Sequence, residues 1–347
     1  MKEKVRELWN ICFGDNEAFT ELYFSKRYNE EVNLAIQENG KVISAMQILP
    51  YPMTFCGEII PTGYISGACT NPEFRNKGAM KRLLFKSFLR MLENEVPLVT
   101  LIPAEEWLFE YYSKVGFATS FEYSEKNFIF EDLSPSSKYI VTEFTTLQTD
   151  VYSFFDKKMK ERPCCIQHSQ DDFNVILDDL YLAEGKLLVS RLNGEITGLA
   201  FCYAIEKRLH VPELFFDNES VRDTLLFSAA KQMNVKDISC ITPAIDETGD
   251  ILGMARIVDA ERMLQIYAAQ HHELEISFNL KDEFIEKNNA SFSMKSGKIT
   301  KKRIQEDYLE LTIRQLTQAV LGYKIKDLPK ELHIFTKQTP YMSLMLN

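Results

Sequence analysis

Two stretches of this chain read as copies of one another, and whatever the chain folds into must accommodate both. Asn33–Leu49 (NLAIQENGKVISAMQIL) aligns with Leu187–Tyr203 (LLVSRLNGEITGLAFCY), Asn-Gly upon Asn-Gly. That dipeptide between two runs of strand formers signals a hairpin, because a type I′ turn needs left-handed backbone at both central positions. Each copy follows two amphipathic stretches. In the first these are 2–13, with Val5, Leu8, Trp9 and Cys12 on one face, and 16–27, with Asp15 as its cap; in the second they lie near 148–161 and 169–182. Each copy also leads on to another strand and a helix. The middle of the chain is therefore expected to repeat the fold of its start.

The first copy continues with a strand pair around 51–60, a strand of small and apolar residues (Tyr64 to Thr70), and a helix bearing Met80, Leu83, Leu84, Phe88 and Met91 on one side. Val96 to Ile102 then reads as a short buried strand. A helix from Ala104 to Ser113 follows, with Gly116 at the C′ position, and Asn127 to Phe130 is a last strand. The second copy continues with the strand Glu213–Phe216, the helix Val221–Met233 and the strand Asp237–Thr242. Ser134–Lys138 (SPSSK) reads as the linker between copies, and 253–270 (GMARIVDAERMLQIYAAQ) as a connecting strand and helix. From Glu273 onward, two strand-like runs, the helix Ile313–Val320 and the ending YMSLMLN make a small third unit. The fold class expected is α+β, in three parts.

The copies differ where chemistry would occur. Between strand and helix the first has Arg75-Asn76-Lys77-Gly78 after an Asn71-Pro72 turn; the second has Asp217-Asn218-Glu219-Ser220. A helix start presents unpaired N–H groups and the positive end of the dipole, and a glycine lets a phosphate approach closely. The first loop suits an anion. Two carboxylates and no glycine repel one, so the second copy is expected to be a structural one. The spacing is neither that of a P-loop nor G-x-G-x-x-G.

Bulk properties exclude other classes. A net charge of −10 disfavours nucleic acid as a partner. No run of about 18 apolar residues argues for a membrane span. The N-terminus lacks the apolar core of a signal peptide, so a cytoplasmic protein is expected. Seven irregularly spaced cysteines argue against a disulfide framework, and no metal is expected. Cys69 is read as small-residue packing rather than as a nucleophile, and His271-His272 as a helix cap or solvated pair. Glu105, Glu106 and Glu110 are read as a solvated face.

The Arg-x-x-Gly loop after such a strand is the spacing that holds a pyrophosphate in acyl-coenzyme A transferases of the GNAT type. The pieces PEFRNKGAM, YYSKVGF and MARIVDAERML, in this order across nearly the whole chain, resemble the enhanced-intracellular-survival (Eis-like) acetyltransferases. The resemblance implies tandem GNAT folds, mixed sheets flanked by helices, then a sterol-carrier-protein-like unit. The parts would be 1–133 (acyl-CoA-binding), 138–270 (degenerate) and 271–347. It implies acetyl-CoA as cosubstrate, bound by Arg75, Asn76, Lys77, Gly78, Ala79 and Met80 at the pyrophosphate and by the backbone of Ala68, Cys69 and Thr70 at the pantetheine arm. It further implies Tyr112 as general acid, the C-terminal carboxylate of Asn347 as general base, a small-molecule or peptide amine as acceptor, and a homo-oligomer, in this family a hexamer. The alternative left open is a coenzyme A or lipid-binding protein without catalysis. An aminoacyl transferase using tRNA is opposed by the acidic charge.

Overall fold

The computed structural model describes residues 1–245 and 249–346. Two helices open the chain, α1 (Lys2–Cys12) and α2 (Glu17–Lys26). Val5, Leu8 and Trp9 turn inward from α1 as their spacing requires. The α2 cap is Asn16, whose side chain accepts from Phe19 N–H, and not Asp15. Asp15 is engaged elsewhere, taking the Trp9 indole N–H at 2.8 Å. The hairpin follows as β1 (Asn33–Glu38) and β2 (Lys41–Pro50), then a small pair, β3 (Met53–Phe55) and β4 (Glu58–Ile60), and β5 (Thr62–Thr70). Asn39 (φ 49°) and Gly40 (φ 80°) take the left-handed turn that their identities specify. Next come α3 (Ala79–Glu93), β6 (Leu98–Leu101), α4 (Glu106–Ser113) and β7 (Ala118–Ile129). The glycine after α4 falls one position later than expected: Lys114 is the cap residue and Gly116, at φ 91°, follows Val115.

The repeat is real. After β8 (Ile140–Glu143), helices α5 (Asp150–Lys160) and α6 (Gln170–Leu182) precede the second hairpin, β9 (Lys186–Leu192) and β10 (Glu195–Ile205). Its turn, Asn193 (φ 53°) and Gly194 (φ 92°), matches the first. Then β11 (Arg208–Phe216), α7 (Glu219–Met233) and β12 (Asp237–Pro243) reproduce β5, α3 and β6. In both copies the strand before the helix pairs in parallel with the strand after it.

The sheet joins the copies in a way the sequence did not announce. Its order is β1-β2-β5-β6-β13-β7-β12-β11-β10-β9-β8, where β13 is Asp250–Ile257. The expected connecting strand is therefore a central strand. It leaves the second copy and inserts between β6 and β7 of the first, antiparallel to both. The last strand of the first copy is also longer than Asn127–Phe130 suggested, because residues 123–129 of β7 pair with β12 along the seam between copies.

The third part begins with α8 (Ala260–Gln270) and builds a smaller sheet, β16-β15-β14-β17, from β14 (Ile276–Lys281), β15 (Ala290–Lys295), β16 (Lys298–Lys302) and β17 (Leu309–Thr312), closed by α9 (Ile313–Val320). It does not stand apart. Phe278, Phe292, Leu316 and Val320 share one buried cluster with Tyr64, Leu98, Ala255 and Ile257 of the large sheet. No helix among the described residues is long and apolar enough to cross a membrane.

Candidate active site

The site begins at a flaw in β5. Ser66 opposes Gln47 and Cys69 opposes Ala45, so Met46 alone faces both Gly67 and Ala68. This is a bulge, which bends the strand and re-aims its backbone. Only glycine suits its first position: Gly67 has φ 57°, and a Cβ there would run into the Trp9 ring and the Gln47 amide. A buried polar set holds the bulge from behind, the Tyr23 hydroxyl donating to Ser66 Oγ at 2.8 Å and lying 3.3 Å from Gln47 Oε1. On the other edge, β6 pairs with β5 only from Thr62 to Tyr64. Beyond Tyr64 the two strands part, and a cleft opens along Gly67, Ala68 and Thr70, all half-buried.

At the end of β5 the loop folds on itself. Asn71 accepts from Glu73 N–H, Arg75 Nε donates back to the Thr70 carbonyl at 3.2 Å, and Lys77 Nζ donates to the Glu73 carbonyl at 3.0 Å. Asn76 (φ 61°) and Gly78 (φ 76°) both take left-handed backbone. Gly78 is the N-cap of α3 and supplies no capping side chain. The first-turn N–H groups of Ala79, Met80 and Lys81 thus have no intrahelical acceptor and no cap. A Cβ on Gly78 would meet nothing within 4 Å. The concavity is open, cationic at its rim and lined by backbone donors, which fits a pyrophosphate.

The second copy shows the same helix start closed. Asn218 caps α7 with its own side chain, accepting from Val221 N–H at 3.2 Å. Asp217 is paired with Lys158 at 3.0 Å. The helix start that the first copy leaves uncapped, the second satisfies internally.

Tyr112 lies in the last turn of α4, 7% exposed, edge-on to Phe117 (5.6 Å) and Tyr111 (5.3 Å). Its hydroxyl makes no hydrogen bond among the described residues. Burial pushes its phenol well above the usual range, with smaller contributions from Tyr111 and Cys69, so it is protonated at neutral pH. Tyr112 shares a buried cluster with Ile65 of β5, against which Ala68 also packs. Tyr111 is half-buried beside it. The acidic residues on α4 are a solvated face: Glu110 pairs with Lys114, and Glu105 takes the exposed Trp107 indole N–H.

Two residues escaped the sequence reading. Cys12, on α1, donates from its thiol to the Thr70 carbonyl (3.5 Å), and the thiol is drawn below its usual range, chiefly by the neighbouring Cys69 and also by Arg75. Arg256 is the second. It belongs to β13, is wholly buried, and donates from Nε to the Val115 carbonyl (2.9 Å), from Nη1 to the Ile257 carbonyl (2.8 Å) and from Nη2 to Asp282 Oδ1 (2.6 Å). It also stacks 4.2 Å over Phe88 of α3. One side chain thus joins the turn behind Tyr112, the helix of the anion loop and the third part of the chain. Gly116 makes room for it, since a Cβ there would lie 2.9 Å from Arg256 Nε. The sequence signal was the motif MARIVDAERML.

Asn347 lies outside the described residues. The segment before it runs along the second copy and returns toward the first, where Leu346 packs with Leu22 of α2 and Val175 of α6.

Comparison with known proteins agrees with this geometry. Residues 2–120 match the acetyltransferase (GNAT) domain family and residues 260–339 the sterol carrier protein domain family. The latter match begins at α8, ahead of the boundary expected at 271. No curated protein matches the chain. Among solved structures, a GCN5-related N-acetyltransferase from Anabaena variabilis aligns at TM-score 0.79 and 15% identity, covering 98% of this chain and 96% of its own. One from Kribbella flavida aligns at 0.79 and 16%, covering 99% and 95%. Eis1 from Mycobacterium abscessus aligns at 0.70 and 14%, covering 92% and 87%. At these identities the likeness speaks for the fold. Acyl-coenzyme A is the cosubstrate of a GNAT domain, and the loop at Arg75–Met80 fits its pyrophosphate. The chain thus carries an acetyltransferase (GNAT) domain at its start and a sterol carrier protein domain at its end, and along its length it shares the fold of the Eis1 structure.

Proposed function

We propose that the chain transfers an acetyl group from acetyl-CoA to an amine by direct attack, with Tyr112 as general acid toward the departing thiolate and the C-terminal carboxylate, here that of Asn347, as general base. The reading assigns the pyrophosphate to Arg75, Asn76, Lys77, Gly78, Ala79 and Met80, and the pantetheine arm to the backbone of Ala68, Cys69 and Thr70. The observation that carries it is the contrast between the two helix starts, one left open behind Gly78 and the other capped by Asn218. The bulge at Gly67 supports it, because backbone N–H groups turned toward the cleft suit a thioester carbonyl that becomes an oxyanion.

The acid–base roles follow from proton affinities. An alkylamine of pKa about 10.4 is protonated at pH 7, and freeing its lone pair costs about 4.6 kcal/mol. A carboxylate near the acceptor offsets part of that when desolvated or acting through water. The departing thiolate, of pKa about 8.5 in water, needs a proton. The buried Tyr112 phenol holds one, and the apolar surroundings that raise the phenol raise the thiolate's proton affinity too.

Tyr112→Phe is expected to lower kcat by about a hundredfold, at the low end of general acid–base contributions, while the KM for acetyl-CoA stays unchanged. The measurement is thiol release over a panel of aminoglycosides, polyamines, lysine derivatives and peptide N-termini, with Tyr111→Phe as control. Equal turnover in wild type and Tyr112→Phe would remove the acid from the scheme. Absence of thiol release with every amine would favour the non-catalytic binding protein.

A further inference from the structure

The second copy has lost the anion loop, yet its strands still part as those of the first do. β11 pairs with β12 from Arg208 to Val211 and no further. The aligned hairpins set Ser44 on Gly198, and their partners across the ladder are Thr70 and Phe216. Farther along, Phe201, the counterpart of Gln47, opposes Glu213, so Glu213 stands where the first copy has Ser66, at the edge of the bulge. It is 1% exposed, a buried carboxylate two residues past Val211, where β11 and β12 part.

A buried carboxylate needs partners, and these identify what fills the second cleft. Arg162 grips Glu213 with two hydrogen bonds, 2.9 Å to Oε2 and 2.8 Å to Oε1. The Ser343 hydroxyl donates to Glu213 Oε2 at 2.5 Å. Arg162 lies over the Tyr341 ring at 5.2 Å, and Tyr341 pairs by backbone with Cys164 and Ile166. His168, wholly buried and held neutral by its burial, donates from Nε2 to the Ser343 carbonyl at 2.9 Å. From there the chain passes to Leu346, buried with Leu22 and Val175. Leu22 adjoins Tyr23, whose hydroxyl supports the Gly67 bulge through Ser66.

We infer that the vestigial cleft of the second copy is the seat of the terminal segment 341–346, and that Glu213, held by Arg162, is a positioning residue for acyl transfer because it fixes Ser343 and thereby delivers the end of the segment to the helix seam behind the catalytic cleft. Degeneration of the second copy then has a use: the space that held a ligand holds the chain itself. The catalytic half of this inference rests on the terminal carboxylate proposed above; the seat does not.

The test uses the full-length protein with Ser343→Ala, Ser343→Thr and Glu213→Gln. Hydrogen-exchange mass spectrometry of the peptide spanning 340–346 is expected to show exchange about tenfold faster in Ser343→Ala and Glu213→Gln, the loss of one hydrogen bond to a charged group, and near wild-type exchange in Ser343→Thr. Thiol release is expected to fall about tenfold in kcat for Ser343→Ala with the KM for acetyl-CoA unchanged, and to recover in Ser343→Thr, a pattern that general loosening would not give. Ser343→Ala leaves the ion pair whole and decides the matter alone if Glu213→Gln does not fold. Unchanged exchange in Ser343→Ala overturns the seat; faster exchange with unchanged kcat overturns the positioning role. A wild type without acyl transfer would sink the proposed reaction, while exchange would still decide the seat.

Discussion

Gly78→Val weakens acetyl-CoA binding at least a hundredfold and leaves the protein folded. The two halves of this expectation have separate causes. Gly78 holds φ 76°, so a branched residue is strained there by roughly 1–3 kcal/mol. No neighbour lies within 4 Å of its Cβ, so no packing is disrupted and α3 keeps its start. The same open space is where the phosphates would sit. A valine side chain occupies it and holds the anion away from the N–H groups of Ala79 and Met80. Losing two such charge-assisted hydrogen bonds, at about 1.5–3 kcal/mol each, outweighs the strain and exceeds a hundredfold in affinity. Circular dichroism reports the fold and calorimetry the binding; retained affinity in a folded variant would place the coenzyme elsewhere.

Arg256→Met is expected to destabilise the protein more than any substitution in the anion loop, by about 3–5 kcal/mol. Arg256 and Asp282 are both wholly buried, and removing the guanidinium leaves a carboxylate without its counter-charge. Of the bonds Asp282 keeps, from Phe284 N–H, Ile285 N–H and Asn288 Nδ2, an asparagine oxygen retains the first two and carries no charge, so the double variant Arg256→Met, Asp282→Asn should recover much of the loss. It should not recover turnover, because the Val115 carbonyl behind Tyr112 still lacks its donor. Urea unfolding of the three proteins measures this. Equal stability of the two variants would mean that the unpaired carboxylate is not the source of the cost.

The contrast between these residues explains how much was legible in the sequence. The hairpins were, because Asn39-Gly40 and Asn193-Gly194 carry their backbone geometry in their identity. So was the anion loop, since Arg75 to Gly78 and the start of α3 are contiguous, and the repeat supplied its own control at Asp217–Ser220. The cap of α2 slipped by one because Asp15 and Asn16 both suit it, and only the position of Trp9 decides between them. β7 was read short because Ser124, Glu125 and Lys126, half-buried or exposed along the stretch that pairs with β12, give no clean alternation. β13 was legible as a strand but its place in the sheet was not: a strand's own residues specify that it is extended, not which strands it enters between. Arg256 followed the same rule, visible in MARIVDAERML but with partners on α3, beyond α4 and in the third part. Glu213 and Ser343 were farther still, joined only when the terminal segment lies in the second cleft.

The central claim is that the loop behind Gly78 holds the coenzyme and its counterpart behind Asn218 does not. Isothermal titration of the wild-type protein with acetyl-CoA tests it most directly. The expected result is saturable binding of one coenzyme per chain, lost in Gly78→Val and unaffected by Asn218→Ala. Absence of binding, or two coenzymes per chain, would contradict it.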